Sequence, residues 1–275
     1  MKKKLFMMML ACLGLAACGS QKTTEEKEVD EDAPEQKILV LYYSQTGTTK
    51  AVAEEIQKQL GADIEEVVCE VPYEGTFEQT IQRCQEEMAD NEVPAVKPLM
   101  ANIGDYDLIF LGYPVWFGQY ALPIGGLLHA QSFEGKKIVT FCTFGSGGLE
   151  TSTEALKQAL PDSEVTAGYG VRSVRVDAIG EEVKRFLIEG GYMAGEIDPL
   201  PAFMEHHPVT AEEKAVFHKA CDGYQFPLGK PASVAVRETE TSTDYEFTTK
   251  DESTIYVTVA KAEGAEPVFT QVIRK

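Results

Sequence analysis

Residues 44–49 read SQTGTT and follow directly on the apolar run KILVLYY at 37–43. Ser44, Thr46, Thr48 and Thr49 place hydroxyls around Gly47, with Gln45 among them and Lys50 as the first charge beyond. A tight turn needs the glycine and one hydroxyl at most. The others are donors gathered for a group that accepts many hydrogen bonds. Where a strand ends in a glycine turn and feeds a helix, unpaired backbone N–H groups and the positive end of the helix dipole point the same way. That combination suits an oxyanion, above all a phosphate. Each hydrogen bond to a charged acceptor contributes roughly 1.5–3 kcal/mol, so about five or six offset the desolvation of a phosphate without an arginine. No GK[ST] ending is present, which excludes a P-loop, and GxGxxG is absent, which excludes the dinucleotide fingerprint. Lys50 falls in the first helical turn and is expected to face solvent.

Two further segments carry unusual residues where an apolar run stops. Pro114-Val115-Trp116-Phe117-Gly118 holds the single tryptophan of the chain. A loop tryptophan either caps the edge of a core or offers its face to a flat ring. Phe144-Gly145-Ser146-Gly147-Gly148 lets backbone approach a ligand closely and adds one hydroxyl donor. The remaining candidates are weaker. His206-His207 and the pair His218 and Cys221 lack the accompanying carboxylates or cysteines of a metal site, so no metal is expected. Cys69, Cys84, Cys142 and Cys221 show no metal spacing. Cys84 falls on the stripe Phe77-Ile81-Cys84-Met88 and reads as core, with a Cys69–Cys84 bridge left open. Acidic pairs such as Glu65-Glu66, Glu86-Glu87 and Glu181-Glu182 read as solvated faces. No acid–base or nucleophilic constellation stands out.

The elements that must position these segments alternate. Strands are predicted at 37–43, 64–71, 107–113, 137–144 and 165–171, the second more polar and so nearer a sheet edge. Helices are predicted at about 49–60, 76–90, 122–130, 150–160 and 178–189, the last with Asp177 as N-cap. Alternating β and α elements imply an α/β fold, a doubly wound five-stranded parallel sheet with right-handed crossovers. Ligands of such sheets sit beyond the carboxyl ends of the strands, where all three unusual segments fall. Residues 191–209 are proline-rich and read as a linker. Beyond them, 210–275 read as a small α+β module of one helix, 210–221, and four antiparallel strands. The module resembles the cystatin-like arrangement in outline, with no motif behind the likeness.

The chain has 275 residues and a net charge of −19, with hydrophobic residues at 44%, enough for a sizeable core. Its first residues are not part of that core. Lys2, Lys3 and Lys4 precede a short apolar run ending Leu15-Ala16-Ala17-Cys18, which resembles the lipobox of an exported bacterial lipoprotein. On this reading 1–17 is a signal peptide, Cys18 is lipidated and holds the protein to a bacterial membrane, and 18–36 is an acidic tether. The acidic balance argues against nucleic acid and favours a partner with a basic docking surface.

Residues 40–56, VLYYSQTGTTKAVAEEI, resemble the flavodoxin signature at Tyr42, Ser44, Gly47, Thr49, Ala53 and Ile56. Pro114, Trp116, Phe117 and Gly118 match a similar stretch in flavodoxin-like proteins, and the resemblance covers about 37–190. It implies FMN as cofactor, with Ser44, Gln45, Thr46, Gly47, Thr48 and Thr49 around the phosphate. It also implies that Trp116 stacks on the ring, that the peptide near Gly118 faces flavin N5, and that the loop at 144–148 borders the pyrimidine edge. Phe144 stands where a tyrosine often lines the other face of the flavin. The function so implied is an exported, membrane-tethered electron carrier serving a redox partner protein. An FMN-dependent reductase of quinones, nitro compounds or metal chelates is the alternative, and a binding lipoprotein without flavin is a third.

Overall fold

The computed structural model describes residues 36–224 and 226–274. The residues read as signal peptide, Cys18 and the stretch read as tether up to residue 35 lie outside the described residues.

Five parallel strands form the first sheet: β1 Ile38–Tyr42, β2 Asp63–Glu66, β3 Leu108–Trp116, β5 Lys137–Phe144 and β6 Glu164–Arg172. A two-residue strand, β4 Gln119–Tyr120, folds back antiparallel on the end of β3. The spatial order is β2-β1-β3-β5-β6, so the chain leaves β1 in one direction and returns to its other side at β3. This is the doubly wound order whose switch point lies between β1 and β3. Alternate residues of the strands supply the two cores. Leu39, Leu41, Ile109 and Leu111 pack on one face, and Val40, Tyr42, Leu108 and Phe110 on the other.

The helices are α1 Thr48–Leu60, α2 Phe77–Asp90, α3 Leu122–Ala130, α4 Leu149–Ala159 and α5 Gly180–Glu189. Helix α1 ends at Gly61 in the left-handed conformation, as its sequence predicts. Helix α2 opens with a capping box, Thr76 with Gln79. Three expectations need correction. Strand β2 stops at Glu66, because residues 68–70 pair with 95–97 instead: Lys97 N–H donates to Val68 O and Glu70 N–H to Ala95 O. The buried stripe of α2 is rotated, leaving Phe77 74% exposed, while Arg83, Cys84 and Glu87 face inward. The N-cap of α5 is Ile179, with no side-chain cap hydrogen bond, because Asp177 belongs to a preceding 3₁₀ turn at Ser173–Ala178.

The acidic pairs are not merely solvated. Glu65 accepts from the N–H groups of Met100 and Ala101, Glu66 from Tyr42 Oη, and Glu182 from Tyr169 Oη. Cys69, Cys84 and Cys142 are buried free thiols, so no Cys69–Cys84 bridge forms.

Residues after α5 build a second, antiparallel sheet: β7 His207–Pro208, β8 Pro231–Glu238, β9 Ser242–Thr249, β10 Thr254–Ala260 and β11 Val268–Ile273, in the order β11-β10-β9-β8-β7. Helix α6 Ala211–Ala220, capped by Thr210 and Glu213, lays Phe217 on Val234, Phe247, Ile255, Val257 and Phe269. Strand β7 lies inside the stretch read as linker; two residues beside prolines carry no alternation to detect. His206 and His207 pair with Glu246 and Glu213 at 3.0 and 2.8 Å.

Candidate functional site

The three unusual segments meet at the carboxyl ends of β1, β3 and β5. The first begins two residues past β1, just after Tyr43, whose N–H donates to Gly112 O of β3 at 3.0 Å. Gly47 then turns the chain into α1 with φ 85°, a conformation that costs other residues about 1–2 kcal/mol, and no side chain caps the helix. Lys50 N–H bonds Ser44 Oγ at 3.2 Å and Ala51 N–H bonds Gly47 O at 3.0 Å. Among the described residues, the N–H groups of Thr48 and Thr49 meet no acceptor.

The six side chains divide their work. Thr46 is exposed and Thr48 half-buried, their hydroxyl oxygens 3.4 Å apart. Thr49 is fully buried, with Oγ1 2.8 Å from Thr143 Oγ1 at the end of β5. Thr143 Oγ1 also lies 3.4 Å from Thr48 Oγ1, so the four hydroxyls form one chain with three contacts and one proton left over for another acceptor. Gln45 is a brace: its amide donates to Tyr73 O at 2.7 Å and its carbonyl accepts from Tyr43 Oη. Lys50 is exposed, as expected, 3.9 Å from Glu54. The opening is therefore lined by backbone N–H and hydroxyl groups, with no cationic side chain among residues 44–49.

Strand β3 runs on through Trp116 and turns back over Phe117 and Gly118, at φ 50° and 78°. Trp116 pairs with Gln119, so two residues of positive φ make a hairpin turn matched to the strand twist. Trp116 is half-buried and propped edge-on by two tyrosines, Tyr43 at 5.7 Å and Tyr73 at 5.2 Å between centroids. Tyr73 is itself fixed. Its hydroxyl donates to Glu87, Arg83 lies 3.9 Å over its ring, and Arg83 Nε bonds Glu87 at 2.8 Å. Burial and the adjacent Glu87 raise the Tyr73 pKa and keep it a phenol. This network explains the rotation of α2. Phe117, 51% exposed, stands at the tip of the turn.

In the third segment Phe144 is 4% exposed and belongs to the core, its ring against the flat backbone of Gly170. A Cβ on Gly170 would lie 2.9 Å from that ring. The segment proper is Gly145 to Gly148. Gly148 sits beneath Val115, whose Cγ1 would be 2.8 Å from an added Cβ. Thr151 Oγ1 donates to Gly118 O at 3.1 Å, joining the second and third loops. Ser146 O accepts from Val272 N–H of β11.

Tyr43, Tyr73, Arg83, Glu87, Thr143 and Thr151 join the site in the fold without standing out in the sequence. Tyr43 and Thr143 had a signal, since both close a strand beside a singled-out loop. Tyr73, Arg83 and Glu87 had none, being brought in by a different helix. Burial pushes the Cys69 and Cys84 thiols up to about 11, so neither is a nucleophile at neutral pH. Among the described residues there is no group of three or more His, Cys, Asp or Glu placed to hold a metal, and no helix long and apolar enough to cross a membrane.

The family model for flavodoxin, Flavodoxin_4, matches residues 37–184. Among solved structures, a candidate flavoprotein from Bacteroides eggerthii DSM 20697 is 30% identical, with a TM-score of 0.50, over 56% of this chain and 98% of its own. A second, from Bacteroides uniformis ATCC 8492, is 23% identical over 55% and 99%, with a TM-score of 0.49. A flavoprotein from Lactobacillus acidophilus NCFM, solved in complex with FMN, is 26% identical over 52% and 97%, with a TM-score of 0.46. The match over more than half of the chain takes in the whole parallel sheet and all three loops, and the protein belongs to the flavodoxin family.

Proposed function

We propose that the crevice binds FMN and that the protein is an electron carrier tethered to a bacterial membrane. One observation carries the reading: two unpaired backbone N–H groups and a chain of threonine hydroxyls stand beside a braced tryptophan at the switch point of the sheet. The donor set fits a phosphate dianion. The open space at Gly47 and Gly118, where an added Cβ would meet no atom within 4 Å, leaves room for a ligand. The N–H groups of Thr48 and Thr49 and the hydroxyls of Thr46 and Thr48 would hold the phosphate. Trp116 would flank the ring, and Gly145–Gly148 its polar edge. FMN when bound supplies one- and two-electron redox chemistry. The chain's own contribution is binding, orientation and exclusion of water. The acidic chain favours a basic partner protein, as a carrier requires.

The test is flavin binding itself. FMN titrated into the apoprotein should quench the fluorescence of Trp116, the only tryptophan. Trp116→Ala should weaken binding by roughly 1–3 kcal/mol through lost burial and ring contact. Fluorescence that stays unchanged at saturating FMN rules out contact. Rapid turnover of NAD(P)H with a quinone, nitro compound or metal chelate would instead identify a reductase.

The tether reading rests on the basic, apolar and small-residue segments that end together on Cys18. Cys18→Ser should release the protein from the membrane or stall it before processing. Partition of the mature wild type into the aqueous phase of a detergent extraction would refute the anchor.

A further inference from the structure

The second sheet is not simply appended to the first. Its last strand, β11, reaches the third loop of the crevice. Val272 N–H donates to Ser146 O at 2.9 Å. Arg172, the last residue of β6, lies between the two sheets. Its Nε donates to Gly145 O at 2.7 Å and its Nη1 to Phe269 O of β11 at 2.6 Å. The guanidinium carbon also lies 4.5 Å over the Phe269 ring, and Phe269 is a fully buried member of the second core. Gly147, at φ 150°, permits the approach, since an added Cβ would stand 2.8 Å from Val272 O. Three hydrogen bonds and one cation–π contact thus tie two consecutive peptides of the loop to a strand far along the chain.

A glycine-rich loop is floppy unless held, because glycine loses more conformational freedom on ordering than any other residue. Ser152 and Thr151 fix the helix after this loop, bonding Gly148 O at 2.5 and 3.2 Å. Among the described residues, Gly145 and Ser146 are fixed only from the side of β11 and Arg172. We infer that the C-terminal module is a clamp on the flavin-edge loop, with Arg172 as its positioning residue, so that the module sets how tightly the crevice holds the ring of its cofactor. This rests on the FMN reading. An arginine suits the task because its planar fork spans two carbonyls at once, which a lysine ammonium on a single stem does not reproduce.

The full-length protein tests it, with Arg172→Gln and Arg172→Lys. Two quantities are read: dissociation constants for FMN and riboflavin, and amide exchange of Val272 in the apoprotein. The clamp acts on the ring edge, which both flavins share. Both variants should therefore weaken FMN and riboflavin alike, by about tenfold, leaving the ratio between them unchanged. Exchange at Val272 should quicken as β11 loosens from the loop. Loss confined to FMN would place the effect at the phosphate and overturn the clamp. So would affinities within twofold of wild type while Val272 exchange quickens. If Arg172→Gln does not fold, Arg172→Lys alone decides between these outcomes. Wild-type protein that binds neither flavin fails the FMN reading and removes the clamp with it, a result distinct from wild-type binding that the variants leave unchanged.

Discussion

Thr48→Asp should reduce FMN affinity by about three decades or more, roughly 4 kcal/mol. Thr48 is the first residue of α1, beside the Thr46 hydroxyl and with no cationic side chain among residues 44–49. A carboxylate at this position would accept the same N–H groups that the phosphate needs, and would repel the phosphate across a few ångströms. It would also sit comfortably at a helix N-terminus, so the variant should fold at least as stably as wild type. Binding and stability are therefore expected to move in opposite directions. The same donors predict a preference for FMN over riboflavin of about three decades, because a site built to bond a polar group is left with unpaired donors by the analogue lacking it. Lys50→Ala should change little. Titration of the apoprotein with both flavins at fixed ionic strength measures all three effects. Affinities for FMN and riboflavin within tenfold of each other would mean that the hydroxyl cluster serves something other than a phosphate.

Gly126→Ala should destabilise the protein by about 3 kcal/mol, against the gain of nearly 1 kcal/mol that alanine brings to a helix interior. A Cβ at Gly126 would lie 2.0 Å from Pro94 O and 3.3 Å from a methyl of Val96. The obstacle is backbone, and it belongs to the segment that pairs with residues 68–70, so it does not rotate away. Helix α3 would have to lift, and α3 begins two residues after Tyr120 of the hairpin that carries Trp116. Gly125→Ala is the control. Its Cβ would meet only a methyl of Val93 at 2.9 Å, a side chain able to change rotamer, and about 1 kcal/mol is the expected cost. Urea unfolding of the two variants separates them. Equal midpoints would show that the approach of α3 to Pro94 is not a fixed feature of the fold.

Both predictions depend on how the crevice is assembled, and the sequence reached different parts of it unequally. The parallel sheet, its helices and the three loops were legible because their signals are local. A strand covered on both faces is a continuous apolar run, an amphipathic helix repeats every 3.6 residues, and Gly47 or Gly61 marks a turn wherever it stands. The likeness to flavodoxins rested on the same kind of local pattern, since its fixed positions fall within one strand, turn and helix and one short stretch at 114–118. Strand β7 and the rotation of α2 were not legible. Two residues carry no period, and the stripe of α2 was outweighed by Arg83 and Glu87 closing on Tyr73.

What only the tertiary structure decided is which hydroxyls and rings are already engaged. Thr49 and Thr48 look alike in the sequence, yet Thr49 is fully buried on Thr143, 94 residues away, at 2.8 Å, while Thr48, 3.4 Å from the same hydroxyl, keeps a partly exposed side chain. Phe144 and Trp116 both stand at strand ends, yet one faces the core and the other is held half-exposed by Tyr43 and Tyr73. The hold of β11 on Ser146 has no trace in either segment, because a backbone N–H and a backbone carbonyl belong to every sequence. Residue type and spacing determined where donors, rings and turns would stand along the chain. Which of them remain free for a ligand depends on partners that only folding brings within about 3 Å, the range over which a hydrogen bond is made or lost.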